Sequence, residues 1–242
     1  MNNYREVLPV VGHDVPGHVR LVEHMGNDLA VVRAARVSYD ADWRAGEDEG
    51  KDAKLIDYLM RNHHTTPFEM VQFKFEVKAP IFVFRQWHRH RTWSFNEMSG
   101  RYVELDEGFY VPAVGSYGTQ SVSNKQQREI KEGEGAFENV VRDKAWQYDQ
   151  INMMKLAHST YHRHVAEGMP RELARIILPT ATYSRMQTSI DLHNLFHFLR
   201  LRCHSHAQHE IKVYADAMLE LIEPIVPVSV AAFKRHILEK QA

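Results

Sequence analysis

Cysteine is nearly absent from this 242-residue chain: Cys203 stands alone, so no disulfide forms within it and no cysteine-based zinc site is assembled. That suits a reducing cytoplasm. Long apolar runs are missing as well. No stretch approaches the length of a membrane span, and residues 1–6 carry no apolar leader core, so a soluble, cytoplasmic protein with no membrane partner is expected. Nor does charge of one sign prevail: 30 Lys+Arg stand against 31 Asp+Glu, a formal net charge of -1. This weighs against a protein that holds nucleic acid mainly by neutralising phosphates. No phosphate-binding P-loop and no G-x-S-x-G occur. Gly133 and Gly135 lack the third glycine and the preceding strand of a dinucleotide fingerprint. With 44% apolar and 25% charged residues, the chain has an ordinary globular composition and is long enough for one large α/β domain.

Against that even background, residues 85–102 stand out. Four arginines (Arg85, Arg89, Arg91, Arg101) and two histidines (His88, His90) face one acid, Glu97. Such a block is costly to bury without partners. Guanidinium forks match phosphate bidentately, and Gln86, Ser94, Asn96 and Ser99 supply neutral donors and acceptors for a base. Trp87 and Trp93 are interleaved with the charges. The block follows an apolar run, residues 79–84, that reads as strand, and α/β proteins commonly place ligands where strands end. A single small anionic ligand fits this local charge better than a polynucleotide, although an RNA-binding protein using the Arg/His/Trp block is the rival reading.

The remaining elements follow from periodicity. Residues 29–39 are helix or strand, and 40–51 read as an acidic loop. Leu55, Tyr58 and Leu59 give a short helix over 51–62, which stops at a turn where Pro67 biases Thr66 away from helix and presents His64 and Thr66. Val71, Phe73, Phe75 and Val77 alternate with Gln72, Lys74, Glu76 and Lys78, a half-buried strand. A mobile loop is expected from about 113 to 127. Phe137, Val140, Val141, Tyr148 and Ile151 keep helical phase in a long scaffold helix. Pro170 opens another helix with Leu173, Ile176 and Ile177 as its buried stripe and Arg171 and Arg175 off it. Residues 180–188 read as a polar strand or connector. Two more helices, 191–202 and 205–222, bury Leu192, Leu195, Phe196 and Leu199, and Ile211, Tyr214, Ala215, Met218 and Ile222. Of His204, His206 and His209, only the last two share a helix face, so no metal site is expected.

The order Arg89-His90-Arg91-x-x-Ser94-x-Asn96-Glu97-x-Ser99-x-Arg101-Tyr102 resembles the signature of the flavin-dependent thymidylate synthases. The likeness extends upstream through His64-x-Thr66-Pro67-Phe68-Glu69 and Lys78-Ala79-Pro80-Ile81-Phe82-Val83-x-Arg85-Gln86. Downstream it runs through Ala174-Arg175-Ile176-Ile177-Leu178-Pro179 and Leu199-x-Leu201-Arg202-x-x-Ser205-His206-Ala207-Gln208-x-Glu210-Ile211, so that it covers about residues 31–214. The resemblance implies a single domain over 1–242 of α/β (α+β) class, with a mostly antiparallel central sheet flanked by long helices. It also implies a homotetramer whose active sites are shared between subunits. The implied reaction makes dTMP from dUMP, with methylenetetrahydrofolate as carbon donor and NADPH as reductant acting through bound FAD, and no cysteine nucleophile.

By motif position, the resemblance places His64, Thr66, Arg89, His90, Arg91 and Glu97 on FAD. Asp191, His193 and His197 are further FAD positions, where this chain departs from the Asn, Arg and Asn of the comparison pattern. It places Gln86, Trp87, His88, Arg89, Glu97, Met98, Ser99, Gly100, Arg101 and Arg175 on dUMP, and Arg202 on the arginine that polarises the uracil. The expected picture is two adjoining half-sites, with residues 89–91 facing flavin and 97–101 facing nucleotide, and with Arg175 and Arg202 arriving from distant helices.

Overall fold

The computed structural model describes residues 4–8, 17–105, 108–122, 128–130 and 136–241. Its framework is a five-stranded antiparallel sheet in the order β1-β2-β3-β7-β4, where β1 is Tyr4–Leu8, β2 Gly17–Met25, β3 Gln72–Pro80, β4 Ser94–Glu97 and β7 Tyr183–Asp191. Strand β3 behaves as its alternation predicts: Phe73, Phe75 and Val77 are buried and Lys74 is exposed. Lys78 breaks the pattern. It is buried, with its ammonium 5.3 Å from the centre of the Tyr183 ring. The polar segment beginning at 180 is a strand, and a central one, paired with β3 on one side and β4 on the other. Its polar side chains do not reveal that position, because two flanking strands satisfy the backbone whatever the side chains are.

Residues 29–39 are helical in the main: α1 is Asp28–Val37, capped by Asn27, whose side chain accepts from Leu29 N. The acidic loop after it is shorter than expected. It contains a 3-10 turn, Asp42–Arg44, and Asp48 caps α2 (Glu49–Arg61) by accepting from Lys51 N at 3.0 Å. Buried Asp52 then takes Arg36 Nη2 at 2.5 Å and Gly46 N at 2.7 Å, tying α1, the turn and α2 together.

The run after Pro80 overturns the strand expectation. It is a helix, α3 (Ile81–Trp87), with Val83, Phe84 and Trp87 buried at helical spacing. Pro80 takes an extended ψ of 144° and ends β3. The first helical N–H groups find acceptors on the neighbouring segment, Ile81 N to Thr182 O and Phe82 N to Thr180 O, both at 3.0 Å. A short apolar run is ambiguous between strand and buried helix, and here those two carbonyls decide it. The basic block therefore starts on the last turn of a helix and not at the end of a strand.

Beyond Tyr102, the expected loop carries a small hairpin, β5 (Thr119–Gln120) with β6 (Arg128–Glu129); residues 123–127 and 131–135, with Gly133 and Gly135, lie outside the described set. The scaffold helix is α4, Ala136–Ala166. Phe137, Val141 and Tyr148 on it are exposed, as are Trp146, Met153 and Leu156. The helix after Pro170 is also corrected. It is one turn, α5 (Arg171–Ala174), followed by a 3-10 turn, Arg175–Ile177, and its apolar stripe is not buried: Leu173 is 52% and Ile176 76% exposed, with only Ala174 in the core. Helix α6 (Leu192–Arg202) and helix α7 (His209–Ile222) bury the side chains expected of them; α7 starts four residues later than expected. Helix α8 (Pro227–Phe233) takes its cap from far away: Asp28 accepts from Val228 N at 2.8 Å and from Ser229 N at 3.0 Å. Among the described residues no helix is long and apolar enough to cross a membrane.

Under the sheet, one aromatic cluster holds α3, α6 and α7 in place. Trp87 stacks on Phe198 at 4.9 Å and meets Trp93 and Tyr214 edge-on. Tyr214 OH donates to Lys78 O at 3.0 Å, and Gly17 stands where any Cβ would lie 2.1 Å from that hydroxyl.

Candidate active site

The packing just described sets where the basic block points. Since Trp87 faces the core of α3, Gln86 and Arg85 face away from it. Gln86 lines a cavity of about 590 Å³ together with Arg200, Leu201, Arg202, His204, His206, Ala207 and Gln208. A second cavity, about 230 Å³, is walled by His64, Phe68, His193, Phe196, His197 and Phe233 among others, and Arg200 belongs to both. The lining of the smaller cavity thus combines apolar rings and aliphatic side chains with imidazoles and the Arg200 guanidinium. That combination suits a flat aromatic system carrying an anionic tail.

Arg202, which lines the larger cavity, is paired with the buried His90. Arg202 Nε donates to His90 Nε2 at 2.9 Å, and the imidazole is 9% exposed, set edge-on to Phe198 at 5.0 Å and 6.4 Å from the His197 ring. Burial first, then the charges of Arg202 and His197, lower the His90 pKa to about 4. His90 is therefore neutral at physiological pH and accepts through Nε2, which puts its proton on Nδ1. Burial, then the charges of Arg200 and His193, lower His197 as well. With Nε committed to His90, the two terminal nitrogens of Arg202 take no partner among the described residues and are open to a ligand. Cys203, beside it, offers no nucleophile: burial, then the neighbouring Asp216 carboxylate, pushes its thiol up to about 12.

The structure brings some expected site residues together and separates others. His64, His193 and His197 share the smaller cavity, and Gln86 and Arg202 the larger. Gly100 meets Arg175 closely, since a Cβ there would lie 3.2 Å from Arg175 Cδ and 2.9 Å from Leu105 Cδ1. Arg101 lies 3.8 Å from Glu172 of α5. Yet Met98, Ser99, Gly100, Arg101 and Arg175 line neither cavity, and neither do Arg89, Arg91, Thr66 or Glu97. Arg175 and Arg202 therefore do not share either of these cavities on one chain. The Trp87 indole is wholly in the core and closed to a ligand, whereas His88 is half-buried, its ring set against Phe84 and Phe95. Asp191 is the N-cap of α6, its carboxylate accepting from Asn194 N at 2.8 Å and from Asn194 Nδ2 at 2.6 Å.

Arg200, Gln208, Phe68 and Phe233 line the cavities without having been expected there. Arg200 falls off the buried stripe of α6 in the same direction as His193 and His197, a signal available in the sequence. For Phe233, reached through the capping of α8 by Asp28, the sequence offers none.

Comparisons with known proteins identify the family. A family model described as thymidylate synthase complementing protein matches residues 20–228. The flavin-dependent thymidylate synthase of Ehrlichia ruminantium (strain Gardel) is 46% identical over 230 residues, 93% of this chain and 73% of that protein. That of Treponema denticola is 47% identical over 221 residues, 91% of this chain and 80% of that protein. Among solved structures, a UMP/dUMP methylase, PolB from Streptomyces cacaoi, bound with 5-Br dUMP, superposes with a TM-score of 0.78 at 38% identity over 91% of this chain and 96% of that one. Its complex with 5-Br UMP gives 0.77 at 37%. The chain belongs to the family of flavin-dependent thymidylate synthases.

Proposed function

We propose that this protein converts dUMP to dTMP in the cytoplasm, taking the carbon from methylenetetrahydrofolate and reducing power from NADPH through bound FAD. The observation that carries this reading is Arg202, aimed by a neutral buried histidine into a cavity lined by Gln86, beside a thiol that burial holds protonated. Making C5 of uracil nucleophilic shifts negative charge toward its carbonyl and N3. A fixed cation at that edge stabilises the charge as it develops. Arg202 stays a cation at any working pH.

The smaller cavity's apolar wall and its His64, His193, His197 and Arg200 fit FAD, which would supply the reducing equivalents drawn from NADPH. His197, whose pKa burial and the charges of Arg200 and His193 lower, donates or accepts there as an uncharged ring. Arg101 and Arg175 suit the nucleotide phosphate, which carries about two negative charges near neutral pH. Their separation from Gln86 and Arg202 on one chain supports a site completed by a second copy. The exposed apolar side chains of α4 and of residues 169–177 support burial in a homotetramer, built from chains that each fold as one domain over 1–242.

Flavin titration tests the reading. The protein is expected to take up FAD stoichiometrically, to lose the flavin colour with NADPH, and to bind dUMP. A protein that refuses FAD but binds RNA in a salt-sensitive manner, without nucleotide preference, overturns it in favour of an RNA-binding role.

A further inference from the structure

A line of polar side chains leads from the β5–β6 hairpin to the larger cavity, and the mechanism above uses only its last member, Gln86. Arg128 Nη1 donates to Glu210 Oε1 at 2.7 Å, and the Tyr110 hydroxyl donates to the same oxygen at 3.1 Å. Gln208 Nε2 donates to Glu210 Oε2 at 2.8 Å, and Gln86 Nε2 donates to Gln208 Oε1 at 2.6 Å. Glu210 is 2% exposed. Burial pushes its carboxyl up, but the hydrogen bond and charge of Arg128, with Gln208 and the backbone, bring it below the usual carboxylate range. An ionised carboxylate only accepts.

Direction is then dictated link by link. Gln208 has to turn its NH2 group toward Glu210, which leaves its carbonyl toward Gln86. Gln86 has to turn its NH2 toward that carbonyl. The oxygen and nitrogen of an amide are nearly alike in shape, so nothing but the hydrogen-bond partners selects one orientation. We propose that Glu210, acting through Gln208, sets the donor–acceptor polarity of Gln86, so that Gln86 offers its carbonyl oxygen to the cavity and selects a nucleotide through a hydrogen-bond donor, a sugar hydroxyl or the imide N–H. This rests on the reading of the cavity as a dUMP site. Glu210 and Gln208 are positioning residues in this scheme.

Reversal of the line is the test. In Glu210→Gln, Arg128 and Tyr110 claim the new amide's oxygen, its NH2 turns to Gln208, and both glutamines flip. Gln86 then shows a donor to a donor. Moving the carboxylate one link along, in the double variant Gln208→Glu with Glu210→Gln, restores the original orientation: the amide now at position 210 gives its NH2 to the carboxylate now at position 208, which again accepts from Gln86. Dissociation constants for dUMP on the FAD-loaded full chain are expected to rise roughly 30-fold in E210Q. The double variant is expected to recover most of that loss. If Glu210 were only a structural partner of Arg128, the second substitution would bring no recovery, because Arg128 still lacks its carboxylate.

Equal dUMP binding by wild type and E210Q, or a double variant no better than E210Q, overturns the proposal. Should E210Q not fold, Gln208→Leu removes the link while leaving the Arg128–Glu210 pair whole; unchanged dUMP affinity in Q208L overturns the proposal equally. A wild-type protein that binds no dUMP overturns the nucleotide reading itself, and this inference with it. The two donor sources separate with analogues: 2′,3′-dideoxyuridine monophosphate loses affinity in wild type but not further in E210Q if the sugar hydroxyl is the partner. N3-methyl-dUMP does so if it is the imide. Additional loss for both analogues in E210Q overturns the proposal.

Discussion

Replacing His90 probes whether Arg202 works because it is held. The hydrogen bond from Arg202 Nε spans 2.9 Å and joins a cation to a buried neutral acceptor. Such bonds contribute about 1.5–3 kcal/mol. If that energy keeps the guanidinium aligned in the transition state, its loss slows methyl transfer by roughly 10- to 100-fold. A graded series sharpens the test. His90→Gln keeps an oxygen acceptor for Nε and is expected to retain most activity, His90→Ala to fall in the stated range, and His90→Lys, a second cation beside Arg202, to fall furthest. Single-turnover dTMP formation at saturating dUMP and FAD reads this directly.

The same residue governs a pH effect. His90 titrates near 6.5 when unfolded and at about 4 when folded, held down by burial and by Arg202 and His197. Its depressed value means stability that is fully present above pH 6.5 and lost as pH falls toward 4, up to about 3 kcal/mol. Denaturant unfolding at pH 7 and pH 4.5 is expected to show this loss in wild type and a smaller one in H90Q. Lysine at 90 with wild-type turnover, or Gln no better than Ala, refutes the alignment role.

Other substitutions test the account elsewhere. Arg202→Ala is expected to keep FAD binding yet lose most dTMP formation, measured by flavin absorbance and product assay on the same sample. Cys203→Ala is expected to retain activity within about twofold, since its thiol stays protonated; an inactive but folded variant revives thiol catalysis. Asp28→Ala removes acceptors from the first turn of α8. It is expected to cost about 2 kcal/mol and to lower Tm by about 4–8 °C in calorimetry. Gly17→Ala drives a methyl into the Tyr214 hydroxyl and the Lys78 carbonyl, and is expected to lower Tm more than an alanine at an exposed strand position.

What is legible in the sequence divides along physical lines. Period-two alternation in β3 and the stripes of α6 and α7 reflect burial within one chain, and they can be read residue by residue. The run from Ile81 cannot, because its state depends on carbonyls of residues 180 and 182, a hundred positions away. The stripe of Leu173, Ile176 and Ile177 is apolar as its pattern says, yet it is not core: hydrophobic patterning marks surfaces that leave water, not which chain covers them. In the site, residue types point to an anion, and the resemblance carried by motif order adds flavin and locates Arg202. Its partner His90, the capping duty of Asp191 and the split between Arg175 and Arg202 all depend on three-dimensional packing that spacing alone does not encode.

The most direct measurement supplies the FAD-loaded protein with NADPH, dUMP and methylenetetrahydrofolate labelled in its one-carbon unit, and follows label into the nucleotide. The account predicts labelled dTMP from wild type and from Cys203→Ala alike, with very little from Arg202→Ala. Unlabelled nucleotide from a wild type that has bound both FAD and dUMP contradicts it.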